Sequence, residues 1–215
     1  MSDPESPTPH PTNLYCKDLE FSIFLGDNFR HFKDLPIAGE FQQDRTMVSK
    51  DGIVRCVTVS SDGRMVACGD LEGNLRVYNI ELKDYPRIAF IEAHNGEILS
   101  ADFVILDDGT VLLASGSRDR LVHIFKYIPE LGLGKPAHFV KIDTLDAHKA
   151  AVKALAFAKR VKSTVILTAD ANKTLIMHRL SAKGLTFEKV LTEIDKTSKI
   201  LSLDVSPHNS FFATG

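Results

Sequence analysis

Short apolar runs separated by charged turns recur along most of this chain. Residues 112–125 read LLASGSRDRLVHIF: an apolar run leads into Ser-Gly-Ser, a charged turn follows, and an alternating run ends on an aromatic residue. The same order recurs in VACGDLEGNLRVY, which ends at Tyr78, and in ILTADANKTLIMH, which ends at His178. Because a period of two indicates a strand with one buried face, each copy predicts two strands joined by a tight turn.

A second signature precedes two of these copies. AHNGEILSADF begins at Ala93 and AHKAAVKALAF at Ala147, so the histidines His94 and His148 lie 54 residues apart. In both, an aliphatic residue follows the histidine after four positions and a phenylalanine after nine. The same spacing, with a lysine first and a valine last, occurs twice more, which gives units that start near residues 50, 94, 148 and 196. A repeat of about 40–45 residues is typical of a four-stranded β-propeller blade.

The pattern therefore predicts an all-β fold of about three complete four-stranded blades with incomplete blades on either side. In the first unit we expect strands at residues 54–60, 65–69, 75–80 and 87–91, with a turn at Ser61-Asp62-Gly63. Upstream, the mixed apolar stretch 14–25 is interpreted as an outer strand and residues 27–35 as a short helix or turn.

The paired signatures resemble the WD-repeat family, in which the first dipeptide is usually Gly-His and the third strand usually ends in Trp-Asp. This chain has no tryptophan, so every unit departs from the family pattern. The resemblance implies a buried hydrogen-bonded clasp in each blade, made from a histidine, a serine or threonine, an aspartate and the tryptophan. Its expected members are His94, Ser115, Asp119 and Phe125 in the second unit, and His148, Thr168, Asn172 and His178 in the third. The first unit offers Lys50, Cys68, Glu72 and Tyr78.

The order of motifs is similar to one WD-repeat subfamily of large scaffolds with two adjoining propellers and a long tail. The segments that carry this similarity are FRHFKDLP, GDLEGNLRVYNIE and IEAHNGEILSADF. The resemblance implies residues 14–215 form a propeller segment of a non-catalytic protein–protein interaction scaffold. It also implies kinases of the stress-activated pathway, such as the c-Jun N-terminal kinases, or centrosome and spindle-pole proteins as partners. Among the loop residues beside the clasp, Asn95 and Arg118 are the expected partner contacts.

An architectural segment of an enzyme or of another multi-protein complex is the alternative hypothesis. Gly132-Leu133-Gly134-Lys135 resembles part of a phosphate loop, but a proline follows where serine or threonine is needed. The histidines have no zinc-ligand spacing, and no serine lies in a Gly-x-Ser-x-Gly elbow. His94, Ser115 and Asp119 have the residue types of a catalytic triad, but their spacing fits the structural clasp. We therefore expect no catalytic site, no metal and no cofactor.

Composition suggests a compartment and excludes some partners. With 44% hydrophobic residues and a net charge of −2, bulk charge would not attract nucleic acid or an acidic membrane. No apolar run approaches the roughly 20 residues of a membrane span. Three cysteines are too few for a disulfide framework, so reduced thiols are expected. The prediction is a cytoplasmic protein, with the centrosome or spindle pole as further sites, and with no small-molecule substrate.

The two ends of the chain carry separate expectations. Residues 1–13 are rich in proline and polar residues and are expected to be a disordered tail. At about 40–45 residues per blade, 215 residues allow about five blades, and the last unit stops within its second strand. We expect a piece of a longer protein, the alternative being a short protein that closes its ring by oligomerising.

Overall fold

The computed structural model describes residues 21–25, 28–32, 52–83, 85–130, 136–160, 163–181, 185–194, 200–206 and 212–215. The chain divides into two compact units, Met1–Val48 and Ser49–Gly215. The expected disordered tail lies outside the described residues. Within the described residues, no helix has the length and apolar character needed to cross a membrane.

The described part of the first unit is one antiparallel hairpin. Strand β1 (Phe21–Leu25) pairs with β2 (Asn28–Phe32), with Phe21 opposite Phe32. An outer strand was expected over residues 14–25, and β1 forms within that range. A short helix or turn was expected over residues 27–35, and this prediction is wrong because residues 28–32 form strand β2. In the sequence, Gly26-Asp27 is a two-residue hairpin signal between the two runs. Strand pairing across that connection satisfies backbone groups that an isolated turn would leave to solvent.

The described residues of the second unit form three four-stranded antiparallel sheets and a final hairpin. Blade 1 contains β3 (Val54–Val59), β4 (Met65–Asp70), β5 (Asn74–Asn79) and β6 (Arg87–Glu92). Blade 2 contains β7 (Ile98–Ile105), β8 (Val111–Ser117), β9 (Val122–Ile128) and β10 (His138–Leu145). Blade 3 contains β11 (Val152–Arg160), β12 (Ser163–Asp170), β13 (Thr174–Leu180) and β14 (Phe187–Ile194). The final hairpin pairs β15 (Leu203–Val205) with β16 (Phe212–Thr214).

The four strands expected in the first unit are confirmed, each end to within one residue. The β3–β4 turn shows why the sequence signal was sufficient there. Ser60 Oγ donates to Asp62 Oδ1 at 2.6 Å and accepts the N–H of Met65 at 2.9 Å. Gly63 has φ +71°, the left-handed region that glycine enters without steric cost. Local side-chain bonds and a glycine therefore fix the turn without help from the rest of the fold.

Strand β8 shows how the blades stack. Leu112 and Ala114 pack into a core shared with blade 3, which also contains Val152 and Phe157. Leu113, which points to the other face, packs into the core shared with blade 1. A sheet covered on both faces has no polar side, which explains the unbroken apolar run at the start of this strand.

Each blade carries β-bulges at equivalent places. One interrupts the pairing of the first two strands, between Val54 and Cys56, Ile98 and Ser100, or Val152 and Ala154. Another interrupts the pairing of the last two strands, for example between Lys141 and Asp143 on β10. Bulges increase the local twist of a sheet, and their repetition gives all three blades the same shape.

Three side chains of blade 2 bond to backbone amides of blade 3. Ser100 Oγ accepts the N–H of Leu155 at 3.1 Å, and Asp102 Oδ2 accepts the N–H of Phe157 at 2.7 Å. Asp143 Oδ2 accepts the N–H of Phe187 at 2.6 Å. These bonds use strand-edge amides that would otherwise be open to pairing with another chain. Burial raises the pKa of Asp102 to about 6, although the amides it accepts act in the opposite direction.

Candidate functional site

The expected clasp residues of blade 2 meet where β6 leads into β7 and β8 turns into β9. His94 Nδ1 lies 2.9 Å from Asp119 Oδ2, and its Nε2 lies 2.8 Å from Ser115 Oγ. Because a carboxylate only accepts hydrogen bonds, Nδ1 carries the proton and Nε2 accepts from the serine hydroxyl. Burial acts to raise the pKa of Asp119, but the Leu121 N–H and His94 outweigh it and hold the pKa below its usual range. Burial lowers the pKa of His94, so the imidazole is neutral at physiological pH.

The turn of blade 1 holds the His94 segment in place. The carbonyl of Gly73 accepts the N–H groups of Ala93 and His94, each at 3.0 Å. Gly73 has φ +91°, and a Cβ atom there would collide with the His94 carbonyl. Glycine is therefore required for this close approach of two backbones.

The aromatic partner of the blade 2 clasp is His123. Its ring stacks on His94, with 4.3 Å between centroids and 24° between planes, and Nδ1 lies 2.9 Å from Thr144 Oγ1. Phe125, expected in the tryptophan position, lies in the core between blades 1 and 2 and meets His123 edge-on at 6.3 Å. The clasp thus joins His94, Ser115 and Asp119 to a second imidazole, that of His123. Phe125 contacts this second imidazole and not the ring of His94.

The blade 3 clasp uses a different acid from the one expected. His148 Nε2 lies 2.8 Å from Thr168 Oγ1, and Nδ1 lies 3.1 Å from Asp170 Oδ2. The expected acceptor, Asn172, is wrong, since it donates its backbone N–H to Asp170 Oδ1 at 2.9 Å. Asp170 ends β12 and also accepts the N–H of Thr174, so one carboxylate group serves both the turn and the imidazole. The missed signal is an aspartate two residues after Thr168.

His178, the fourth expected member in blade 3, is buried without a complete set of partners. The residue is 3% exposed, and Nδ1 has no hydrogen-bond partner among the described residues. Burial lowers the pKa of His178 to about 4, with His148 and Lys189 acting in the same direction. The residue occupies the position of Phe125 in blade 2 but brings a polar atom into it.

Blade 1 replaces the clasp with a buried ion pair that the sequence analysis missed. Arg76 Nη1 lies 2.6 Å from Asp70 Oδ2, and both side chains are almost fully buried. Asp70 Oδ1 accepts the N–H groups of Glu72 and Asn74, and the Arg76 guanidinium lies 5.3 Å from the ring centre of Phe90. Asp70 follows Cys68 by two residues, as Asp170 follows Thr168.

The other expected members of the first unit do not form a clasp in the described residues. Lys50 lies outside them. Cys68 is a free thiol, and burial raises its pKa. Glu72 gives its backbone N–H to Asp70, and Tyr78 is half-buried on β5.

The expected partner contacts, Asn95 and Arg118, both lie at one end of blade 2. This end, which carries the β6–β7 connection and the β8–β9 turn, is called the turn end of blade 2. Asn95 is exposed and donates its backbone N–H to Asp119 Oδ2 at 3.2 Å. Arg118 shows 68% side-chain exposure while its Nη1 lies 3.1 Å from the buried Glu97. Glu97 also lies 3.3 Å from Arg55 Nε of blade 1, which orients two arginines at one end of the fold.

A cavity of about 550 Å³ opens beside the blade 2 clasp. Its walls include Glu72 and Glu92 from blade 1, and Asp119, His123 and Lys141 from blade 2. The turn end of the fold therefore combines an exposed arginine with a polar cavity.

His94, Asp119 and His123 also bring three metal-ligand atoms within 4.8 Å of one another. Metals bind imidazoles in the ring plane, and the near-parallel stacked rings direct their lone pairs alongside each other. His94 already uses both nitrogens, on Asp119 and Ser115. The geometry is that of a hydrogen-bonded clasp with a stacked ring, and it does not converge on a cation.

Replacing Asp119 with alanine should lower the free energy of unfolding by roughly 1–3 kcal/mol. The substitution leaves the buried His94 Nδ1–H without its acceptor and removes the acceptor for the Asn95 N–H. Urea denaturation followed by circular dichroism measures the change. Asp108→Ala, which alters an exposed turn of the same blade, is the matched control. Equal effects of the two substitutions would contradict the assigned importance of the clasp.

The comparisons with known proteins agree with this architecture. The family model described as WD domain, G-beta repeat, matches residues 42–79 and 86–126. Among solved structures, a computationally designed protein, Ika4, has a TM-score of 0.56 at 18% identity, covering 79% of this chain and 89% of its own. The WD40 repeats of RRP9 have a TM-score of 0.56 at 18% identity, covering 74% and 44%. Residues 42–79 and 86–126 thus match WD repeats, and the described residues have the all-β fold of WD40 propeller structures.

Two curated proteins are similar to most of this chain. Human mitogen-activated protein kinase-binding protein 1 is 30% identical over 205 residues, which cover 94% of this chain and 13% of the relative. Mouse WD repeat-containing protein 62 is 27% identical over 216 residues, covering 98% of this chain and 13% of the relative. The chain therefore spans about an eighth of the length of the curated relatives it matches.

Proposed function

We propose that this chain is a non-catalytic platform for protein–protein interaction whose contact surface is the turn end of blade 2. The observation that carries the proposal is Arg118, an exposed arginine oriented by the buried Glu97. Arginine oriented in this way loses less conformational freedom on binding, and arginine is enriched among residues that dominate interface energetics. Asn95, exposed on the adjacent connection, supplies a polar contact from the same blade.

The proposed partners follow from the relatives. One of them is named for binding a mitogen-activated protein kinase, and the match to it covers 94% of the present chain. We infer kinases of the stress-activated pathway, such as the c-Jun N-terminal kinases, as the first partner class, and spindle-pole proteins as the second. A cytoplasmic location, including the centrosome or spindle pole, follows from the same partners. The alternative is an architectural role within an enzyme or another complex, with contacts outside this chain.

Proximity labelling in dividing cells tests the proposal with the wild-type chain and Arg118→Glu. The charge reversal places a second carboxylate beside Glu97 and should reduce labelling of kinase or spindle-pole partners by about fivefold or more. Arg179→Glu is the matched control, because Arg179 is an exposed arginine near the C-terminal end of β13 in another blade. Circular dichroism checks that both variants fold. A partner list that Arg118→Glu leaves unchanged would favour the architectural alternative.

A further inference from the structure

The cavity beside the blade 2 clasp is formed by polar side chains from two blades. Glu72 lies in the β4–β5 turn and Glu92 ends β6, both in blade 1. Asp119 lies in the β8–β9 turn and Lys141 lies on β10, both in blade 2. The volume of about 550 Å³ is within the range of pockets that accept a ligand group.

The charges around this cavity do not balance. Three carboxylates line it, from Glu72, Glu92 and Asp119, against one ammonium group from Lys141. In the part of the chain that the structure describes, neither Glu72 nor Glu92 forms an ion pair. Because the two imidazoles of the clasp are neutral, the cavity lining carries an excess of two negative charges. A concave site with one dominant sign of charge attracts the opposite sign.

The lining also distinguishes between kinds of cation. Lys141 would oppose a small multivalent ion at the centre of the site, and the stacked imidazoles do not converge on one. A monovalent cation on an apolar stem matches the site better, because Ala93 and Leu121 contribute apolar surface to the lining. Arginine and lysine side chains have this combination of charged head and apolar stem.

We propose that this cavity binds a single cationic side chain, arginine or lysine, presented by a partner polypeptide. The inference rests on the proposed interaction function and adds a requirement for the partner, namely a basic residue. Glu92 and Glu72 bind the charged head from blade 1, and Asp119 does so from the clasp. The clasp thereby gains a second role, since the carboxylate that holds His94 also faces the incoming cation.

An NMR titration of the full chain, labelled with ¹⁵N, tests this assignment. The probes are butylguanidinium and butylammonium, which reproduce the two side chains, with butyramide as the neutral control. Both cations should shift the amide signals of Ala93, Asn95 and Leu121 in a saturable way, and butyramide should not. Shifts of equal size with butyramide, or shifts spread over the whole chain, would overturn the proposal.

Three variants make the test specific. Glu92→Gln should weaken binding of the cations by about threefold to tenfold, because one ionic contact is lost. Lys141→Gln should strengthen binding, since it removes the competing positive charge. Glu188→Gln, on the exposed side of β14, should leave affinity unchanged. Equal affinities for the wild type and Glu92→Gln would exclude the cavity as the binding site.

The outcome separates this inference from the proposed function. If the cations fail to bind while Arg118→Glu still removes cellular partners, the cavity assignment fails and the interaction platform stands. If the cations bind as expected and no partner depends on Arg118, the cavity is a cation site and the proposed contact surface is wrong.

Discussion

Replacing Asp70 with alanine should lower the free energy of unfolding by about 3–5 kcal/mol, because it leaves a buried charge unpaired. The change leaves the Arg76 guanidinium, 4% exposed, without its carboxylate inside blade 1. It also leaves the N–H groups of Glu72 and Asn74 without their acceptor. Urea denaturation followed by circular dichroism measures the loss.

A double-mutant cycle distinguishes the ion pair from the turn. Arg76→Ala alone should cost less than Asp70→Ala, because Asp70 keeps the turn amides as donors. The double variant should be more stable than the sum of the single effects predicts, since no buried charge remains unpaired. Asp62→Ala, in the exposed β3–β4 turn, should cost about 1 kcal/mol or less. A cost of Asp70→Ala no larger than this control would contradict the role of the buried pair.

The second large effect is loss of stability in mild acid. Burial lowers the pKa of both His123 and His178 to about 4, from 6.5 in an unfolded chain. As the pH falls from 6.5 to 4, the unfolded state therefore binds more protons than the folded state, and the free energy of unfolding decreases. Each group contributes roughly 3 kcal/mol at most, and this stability is fully present above pH 6.5. The raised pKa of Asp102 acts in the opposite direction between pH 6 and 4.

A substitution at His178 isolates one of these contributions. His178→Phe introduces the residue that blade 2 has at the equivalent position and removes the unpartnered Nδ1. The decrease in stability between pH 7 and pH 4.5 should be smaller in this variant than in the wild type. His138→Gln, an exposed histidine at the start of β10, is the control and should keep the wild-type slope. Parallel pH profiles for the wild type and His178→Phe would show that this imidazole is not held neutral.

The histidine spacing predicted the clasp positions well because it repeats with the fold. His94 and His148 occupy equivalent places, and each lies 2.8 Å from the hydroxyl of the second strand. The acids were predicted less well. Asp119 lies in the turn, as the family pattern implies, whereas Asp170 ends the strand two positions earlier. Both arrangements let a carboxylate reach Nδ1, so the choice depends on turn conformation, which the repeat pattern does not specify.

Features formed by contacts between strands of the same blade were the least predictable. The stacking of His123 on His94 joins residues 29 positions apart, and nothing in either signature marks the pair. Arg76 occupies the position of His123 in blade 1, where a charged residue suggests a solvent-facing side chain. It is buried because Asp70 lies beside it, and that pairing requires the register of β4 and β5. Periodicity gives the strands, but the chemistry between them follows from register and stacking.

The side chains by which blade 2 binds blade 3 make the contact between these two blades specific. Ser100 and Asp102 accept amides from the first strand of the next blade. At the equivalent positions blade 3 has Ala154 and Ala156, and blade 1 has Cys56 and Thr58. A chain in which blade 3 were duplicated in place of blade 2 would present methyl groups to those amides. Among the three described blades, only blade 2 therefore has the side chains that satisfy these two amides of the following blade.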